Sequence, residues 1–140
     1  MGNIGDLSTT TGSDTLKLRC PVGEAKVFDF SDVSGFTAGT FEPISDCIVL
    51  PLQTVTSGIG VLAYDIPRVM VPVHPASALI AGDKLAFRLS STTFETDTSD
   101  VKVTAVALEI KAGGVSEVMA HFNGYGFEDH GTGSDALYIT

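Results

Sequence analysis

The chain has no tryptophan, only three tyrosines and two cysteines, and just eight lysine and arginine residues among 140. Each shortage closes a class of explanation. A nucleic-acid binder needs a cationic surface to displace counterions from phosphate. Here seventeen acidic residues oppose the eight basic ones, for a formal net charge of −9. Long-range repulsion from DNA and from anionic lipid surfaces follows. The cations are also unevenly spread: none lies between Lys26 and Arg68, and none follows Lys111. Two cysteines are too few for a disulfide scaffold. Cys20 and Cys47 each sit in an apolar stretch, LKLRC and DCIVL, and read as buried thiols that act as small hydrophobes. No apolar run approaches the roughly 20 residues of a transmembrane helix. The opening MGNIGDLSTTTGSD has neither a basic start nor an apolar core. It does not read as a signal peptide, and cytoplasmic synthesis is the expectation.

What is present points to strands. Hydrophobic residues make up 44%, charged residues 18%, and mean hydropathy is +0.28, which excludes disorder over the whole length. Residues 1–14 are the exception. Gly, Ser, Thr and Asn dominate there, so the segment reads as a flexible N-terminal arm ahead of a single β domain over 15–140. Within that domain TLKLRC (15–20), KVFDF (26–30) and KLAFRL (84–89) alternate apolar and polar residues. CIVLPLQTV (47–55) is β-branched and apolar, and VKVTAVALEI (101–110) fits a long strand with Val101, Val103, Ala105, Ala107 and Glu109 on one face and Lys102, Thr104, Val106 and Leu108 on the other. VLAYDI and VMVPVH read as two strands divided near Pro67. Pro51 and Pro72 imply edges, bulges or kinks, because proline cannot donate to a ladder. STTFETDTSD reads as a polar hairpin with one hydrophobe, Phe94, and GYGF (124–127) as a bend. Turn signals every 8–12 residues between short strands are the mark of an all-β sandwich or barrel of short antiparallel strands.

Signatures of chemistry are sparse. His74, His121 and His130 show no metal-ligand spacing, and no GxSxG elbow, GxGxxG turn or phosphate-cradling GxxxxGK[ST] occurs. Glu42, Asp46, Glu95 and Asp97 lie in turn-like surroundings and read as solvated acids, as do Glu128 and Asp129 beside His130. The expectation is a protein without catalytic residues, metal or cofactor.

The stretch from Ile48 to Gly126 resembles the small capsid cement, or head-decoration, proteins of tailed bacteriophages. The likeness rests on an ordered set of features. IPRVMVPV leads through a connection into AGDKL and an aromatic strand, followed by the Thr-rich TTFET, by VTAVALEIKAGG, and by VMAHFNGYG. The resemblance implies a non-enzymatic β domain on the outer surface of a virion. Its partner would be the major capsid protein, neighbouring subunits of which it bridges, and it would act as a homotrimer. It also gives the 1–14 arm a use, as a segment that orders on the shell against an exposed strand edge. Interface candidates are Asn3, Ile4 and Leu7 in the arm, Phe36 and Phe41 between glycines, and Arg68 and Arg88 as isolated cations in an acidic chain. Two other readings stand beside this one. One is a different virion or cell-surface β module, such as a tail component or a carbohydrate-binding sandwich. The other is a small hydrolase or metal-dependent enzyme.

Overall fold

The structure is a computed structural model that describes residues 16–98, 100–127 and 136–140. It is all-β, a curled antiparallel half-barrel sheet. A short 3-10 turn, Val22–Glu24, precedes eight strands. These are β1 (Lys26–Asp32), β2 (Glu42–Ile44), β3 (Cys47–Pro51), β4 (Gly58–Pro72), β5 (Lys84–Arg88), β6 (Thr93–Glu95), β7 (Ala105–Ala107) and β8 (Glu117–Asn123). The expected arm at 1–14, with Asn3, Ile4 and Leu7, lies outside the described residues.

The organising element is β4. Its fifteen residues run through Pro67 as one strand rather than the two expected, and the pairing register with β8 shifts between Ile66 and Val69. A bulge of this kind absorbs the missing proline N–H. Ala63 pairs with Val27 of β1 and with Leu50 of β3, and Asp65 pairs with Lys26 of β1 and with Asn123 of β8. A strand has two edges, so β1 lies along one and β3 followed by β8 along the other. The path continues from β8 through β7 and β5 to β6. There the curl brings Phe94 of β6 back to Val73, just past the end of β4, in a parallel bridge.

The long β4 therefore serves two regions. Its second half belongs to the barrel, with β8, β7, β5 and β6. Its first half carries a wing made of β1 and the β2–β3 hairpin. Side chains alternate across a strand, and both faces are used near the junction. Ile48, Leu50 and Ala63 join the main core, whereas Cys47, Val49 and Leu62 join a second cluster with Phe36 and Ile44. The main core centres on four phenylalanines. Phe41 meets Phe94 and Phe122 at centroid separations of 5.1 and 4.9 Å, and Phe87 meets Phe94 at 5.2 Å. Edge-on aromatic contacts add about 0.5–1.5 kcal/mol per pair to the burial itself.

Several sequence expectations require correction. Of TLKLRC, the described residues 16–20 form no strand; Leu18 bridges β4 at Val69, while Leu16 and Cys20 turn inward. VKVTAVALEI is extended but pairs as a strand only over Ala105–Ala107. Its other bonds change partner: Lys102 N–H bonds to Ala136, Thr104 N–H to Leu85 and Leu108 N–H to Met119. The face assignment holds only in part: Val101, Val103, Ala105 and Ala107 are buried, but Glu109 from the same face is exposed and Thr104 from the opposite face is fully buried, because the segment changes partner along its length. Pro51 lies at the end of β3, past the last β2–β3 pair, Glu42 with Val49; it pairs with Leu62 of β4, and its carbonyl accepts from Gly39 N–H.

Candidate functional site

The wing contains a cleft of about 440 Å³ between β1 and the β2–β3 hairpin. The hairpin turns tightly through Ser45, whose φ of +57° places Asp46 on the rim. The opposite wall is a row of rings supplied by β1, β4 and the turn after β8. Phe30 meets Phe28 at 6.5 Å edge-on, Phe28 stacks on Tyr64 at 5.6 Å and 27°, and Tyr64 meets Tyr125 at 5.3 Å edge-on. Phe28 and Phe30 lie two apart on one strand, so they share a face.

Cys47 lies buried at the floor, with the Tyr125 hydroxyl as its hydrogen-bond partner. Burial pushes the Cys47 thiol up from its ordinary value, and neighbouring Asp46 adds to the rise. Burial likewise raises the Tyr125 phenol, as does the adjacent Cys47. Both groups are held protonated at neutral pH. The thiolate is the nucleophilic form of cysteine, so this pair is suited to packing and contact rather than attack. Glu42 on β2 is raised as well, first by burial and second by the charge of Asp32. From Lys26, the first residue of β1, to the residue before Arg68 the chain holds five carboxylates, Asp29, Asp32, Glu42, Asp46 and Asp65, against the single cation Lys26, and Lys102 acts on the Cys47 end of the cleft. The wing is thus an apolar, ring-lined surface in an acidic setting.

The interface candidates fall elsewhere or change character. Phe36 and Phe41 are not available as surface anchors, since each is only 4% exposed. Phe36 sits against Gly60, where a Cβ would come within 2.6 Å of its ring, and its backbone exchanges two hydrogen bonds with Val55. Phe41 packs in the phenylalanine cluster of the main core. The broken, glycine-flanked sequence around them hid this burial, because isolated apolar residues in a loop leave no periodicity. Arg88 is not an isolated cation. Its Nε and Nη2 donate to the two Glu95 oxygens at 2.6 and 2.7 Å across the β5–β6 hairpin. That hydrogen bond is the first cause of its raised pKa. Arg68 is exposed within the bulge, and its Nε donates to the Arg19 carbonyl at 3.2 Å.

Sequence reasoning missed Tyr64 and Tyr125. Tyr125 did carry a signal, because the bend it occupies, between Gly124 and Gly126, turns an aromatic side chain outward at the end of β8. Among the described residues His74 and His121 do not converge. His121 Nε2 lies 3.0 Å from Asp65 Oδ1, with its ring against Phe127, and His74 Nδ1 accepts from the Ala76 N–H. His130 lies outside the described residues. Among the described residues no group of three or more His, Cys, Asp or Glu side chains could hold a metal ion. No family model, curated protein or solved structure matches this chain.

Proposed function

We propose that the chain is a capsid cement protein, a non-enzymatic β domain that binds the outer surface of a phage head and bridges neighbouring major capsid subunits. The observation that carries this reading is the continuity of the resembling stretch. Ile48 to Gly126 runs from β3 through the turn after β8, so the ordered features fall on consecutive strands of one packed body. IPRVMVPV is the second half of β4, AGDKL the turn into β5, TTFET the β6 hairpin, and VMAHFNGYG is β8 with its bend.

The physics of cementing is linkage. A ligand that binds only the assembled shell stabilises it by RT ln(1 + [L]/Kd), about 2.7 kcal/mol per site at a hundredfold excess over Kd. Many copies on one particle multiply that gain. A net charge of −9 keeps such copies soluble at high local density. Association as a trimer around local three-fold positions belongs to the same proposal.

The test is sedimentation of the purified chain with assembled heads that lack it, and separately with dissociated shell subunits. The chain is expected to travel with the assembled heads alone. An unchanged distribution in the presence of heads overturns the reading.

A further inference from the structure

We infer that the outer edge of β1 is a strand-addition site for an extended partner segment in which Lys or Arg alternates with apolar residues.

The direction of the β1 backbone groups follows from the register. Leu52 N–H bonds to the carbonyl of Val61 at 2.9 Å, and β3 lies on the edge of β4 opposite β1. Val61 therefore turns its backbone polar groups away from β1. Its partner Asp29 occupies the kind of antiparallel pair that exchanges no bonds. Alternation then gives Phe28 and Phe30 the inward bonds to Leu62 and Gly60, and leaves Val27, Asp29 and Ser31 with N–H and C=O groups directed outward. Among the described residues β1 pairs with β4 alone. Exposed apolar side chains collect beside this edge, with Val27 at 37%, Phe30 at 36%, Val33 at 89% and Ile59 at 66%.

Charge selects the occupant. A second copy would bring together two wings that each carry five carboxylates against the one cation Lys26, with Asp29 at the centre of each edge, whereas a basic strand neutralises that excess. The two faces of β1 fix the pattern of that strand. Phe28 and Phe30 look into the ring-lined cleft, so apolar residues of an added strand fall on that side. Asp29 looks the other way, so cations fall beside it. Main-chain bonds supply affinity and alternate side chains supply selectivity, as in other strand-addition sites. Under the function proposed above the segment belongs to the shell subunit. The site itself does not depend on that assignment.

The probe is a short synthetic peptide alternating Lys and Arg with Val and Phe, compared with its Asp and Glu counterpart. The full chain is expected to bind the basic peptide and not the acidic one. Amide exchange at Val27, Asp29 and Ser31 should be fast in the free chain and slow with peptide, while Phe28 and Phe30 change little. Asp29→Pro removes an outward N–H without touching the inward ladder and should bind about tenfold more weakly. Asp29→Ala keeps the N–H and should retain more affinity than Asp29→Pro. Equal loss in the two variants, no preference for the basic peptide, or slow exchange in the free chain overturns the site. Slow exchange in the free chain would mean that this chain or a second copy already covers the edge. Binding of neutral oligosaccharides in the cleft with no response to peptide would overturn it too. The shell reading is separable: no peptide binding by a chain that heads still capture sinks the site alone, heads that capture the wild type and Asp29→Pro equally show that the shell does not use this edge, and peptide binding without head binding sinks the shell assignment alone.

Discussion

The two halves of β4 carry similar residues and live in different surroundings. From Asp65 to Pro72 the strand is part of a curled sheet whose interior is filled by Phe87, Phe94 and Phe122, each at most 1% exposed. From Gly58 to Tyr64 it supports a wing whose outer strand, β1, is exposed at most positions on both faces. A β-rich sequence forms strands in both places. Whether a strand becomes core or contact surface depends on how many neighbours close over it. The barrel half is where stability resides, and the wing half is where apolar and acidic groups stay available to a partner.

This contrast can be broken most sharply at its two extremes. Phe122→Ala empties the centre of the phenylalanine cluster and should cost about 3–5 kcal/mol in chemical denaturation. Phe30→Ala in the wing should cost under about 1 kcal/mol, because its ring is already partly in water. Similar losses for the two would erase the distinction between the regions.

The seam between the regions comes next. Gly124 N–H bonds to the Tyr64 carbonyl, and the Gly124 carbonyl accepts from Ile48 N–H. A Cβ at Gly124 would stand 1.7 Å from the Ile48 carbonyl oxygen, so Gly124→Ala must push β3 off β8. A loss of about 2–4 kcal/mol is expected, comparable with overpacking or worse. Faster amide exchange in β3 should accompany it, with β5 and β6 spared.

Lys111 tests a different join. It is 3% exposed, and its ammonium donates to the Pro75, Ser77 and Ala112 carbonyls, tying the 74–83 connection to the barrel. Lys111→Met leaves those acceptors without their donor and should cost about 2–3 kcal/mol. Thr104 offers the opposite sign. Its hydroxyl is buried without a hydrogen-bond partner, so Thr104→Val should raise stability by about 1 kcal/mol. A fall in melting temperature would mean that the hydroxyl has a partner in solution.

The smallest effect belongs to the wing. The Glu42 carboxyl is raised in the fold, so the native state holds its proton more tightly than the unfolded chain. Its contribution is therefore fully favourable at low pH and declines as pH rises through the raised value. Glu42→Gln should melt higher than the wild type at neutral pH, and the gap should shrink as pH falls below the ordinary carboxylate range. A gap that widens on acidification would refute the assignment.

How much of this was legible in the chain varies from element to element. Alternation in KLAFRL put Leu85, Phe87 and Leu89 on one face; Leu85 and Phe87 are buried, but Leu89 is exposed where the strand ends and Ala86 is buried from the other face, while the lone Phe94 of the hairpin lies in the core. The same kind of alternation in TLKLRC produced no strand over the described residues 16–20, because β4 accepts only one bridge from them. Phe36 and Phe41 looked free in a broken stretch and proved to be core. The cleft was not legible at all. Its rings come from positions 28, 30, 64 and 125, and no local pattern links residues so far apart.

Local chemistry alone determined that this chain forms short strands and carries negative charge, since period-two alternation and composition are properties of neighbouring residues. Only the tertiary structure decided that β4 runs unbroken through Pro67, that Arg88 meets Glu95, and that among the described residues β1 pairs with β4 alone beside a ring-lined cleft. Those outcomes depend on long-range pairing, which is set by the burial of whole faces against one another.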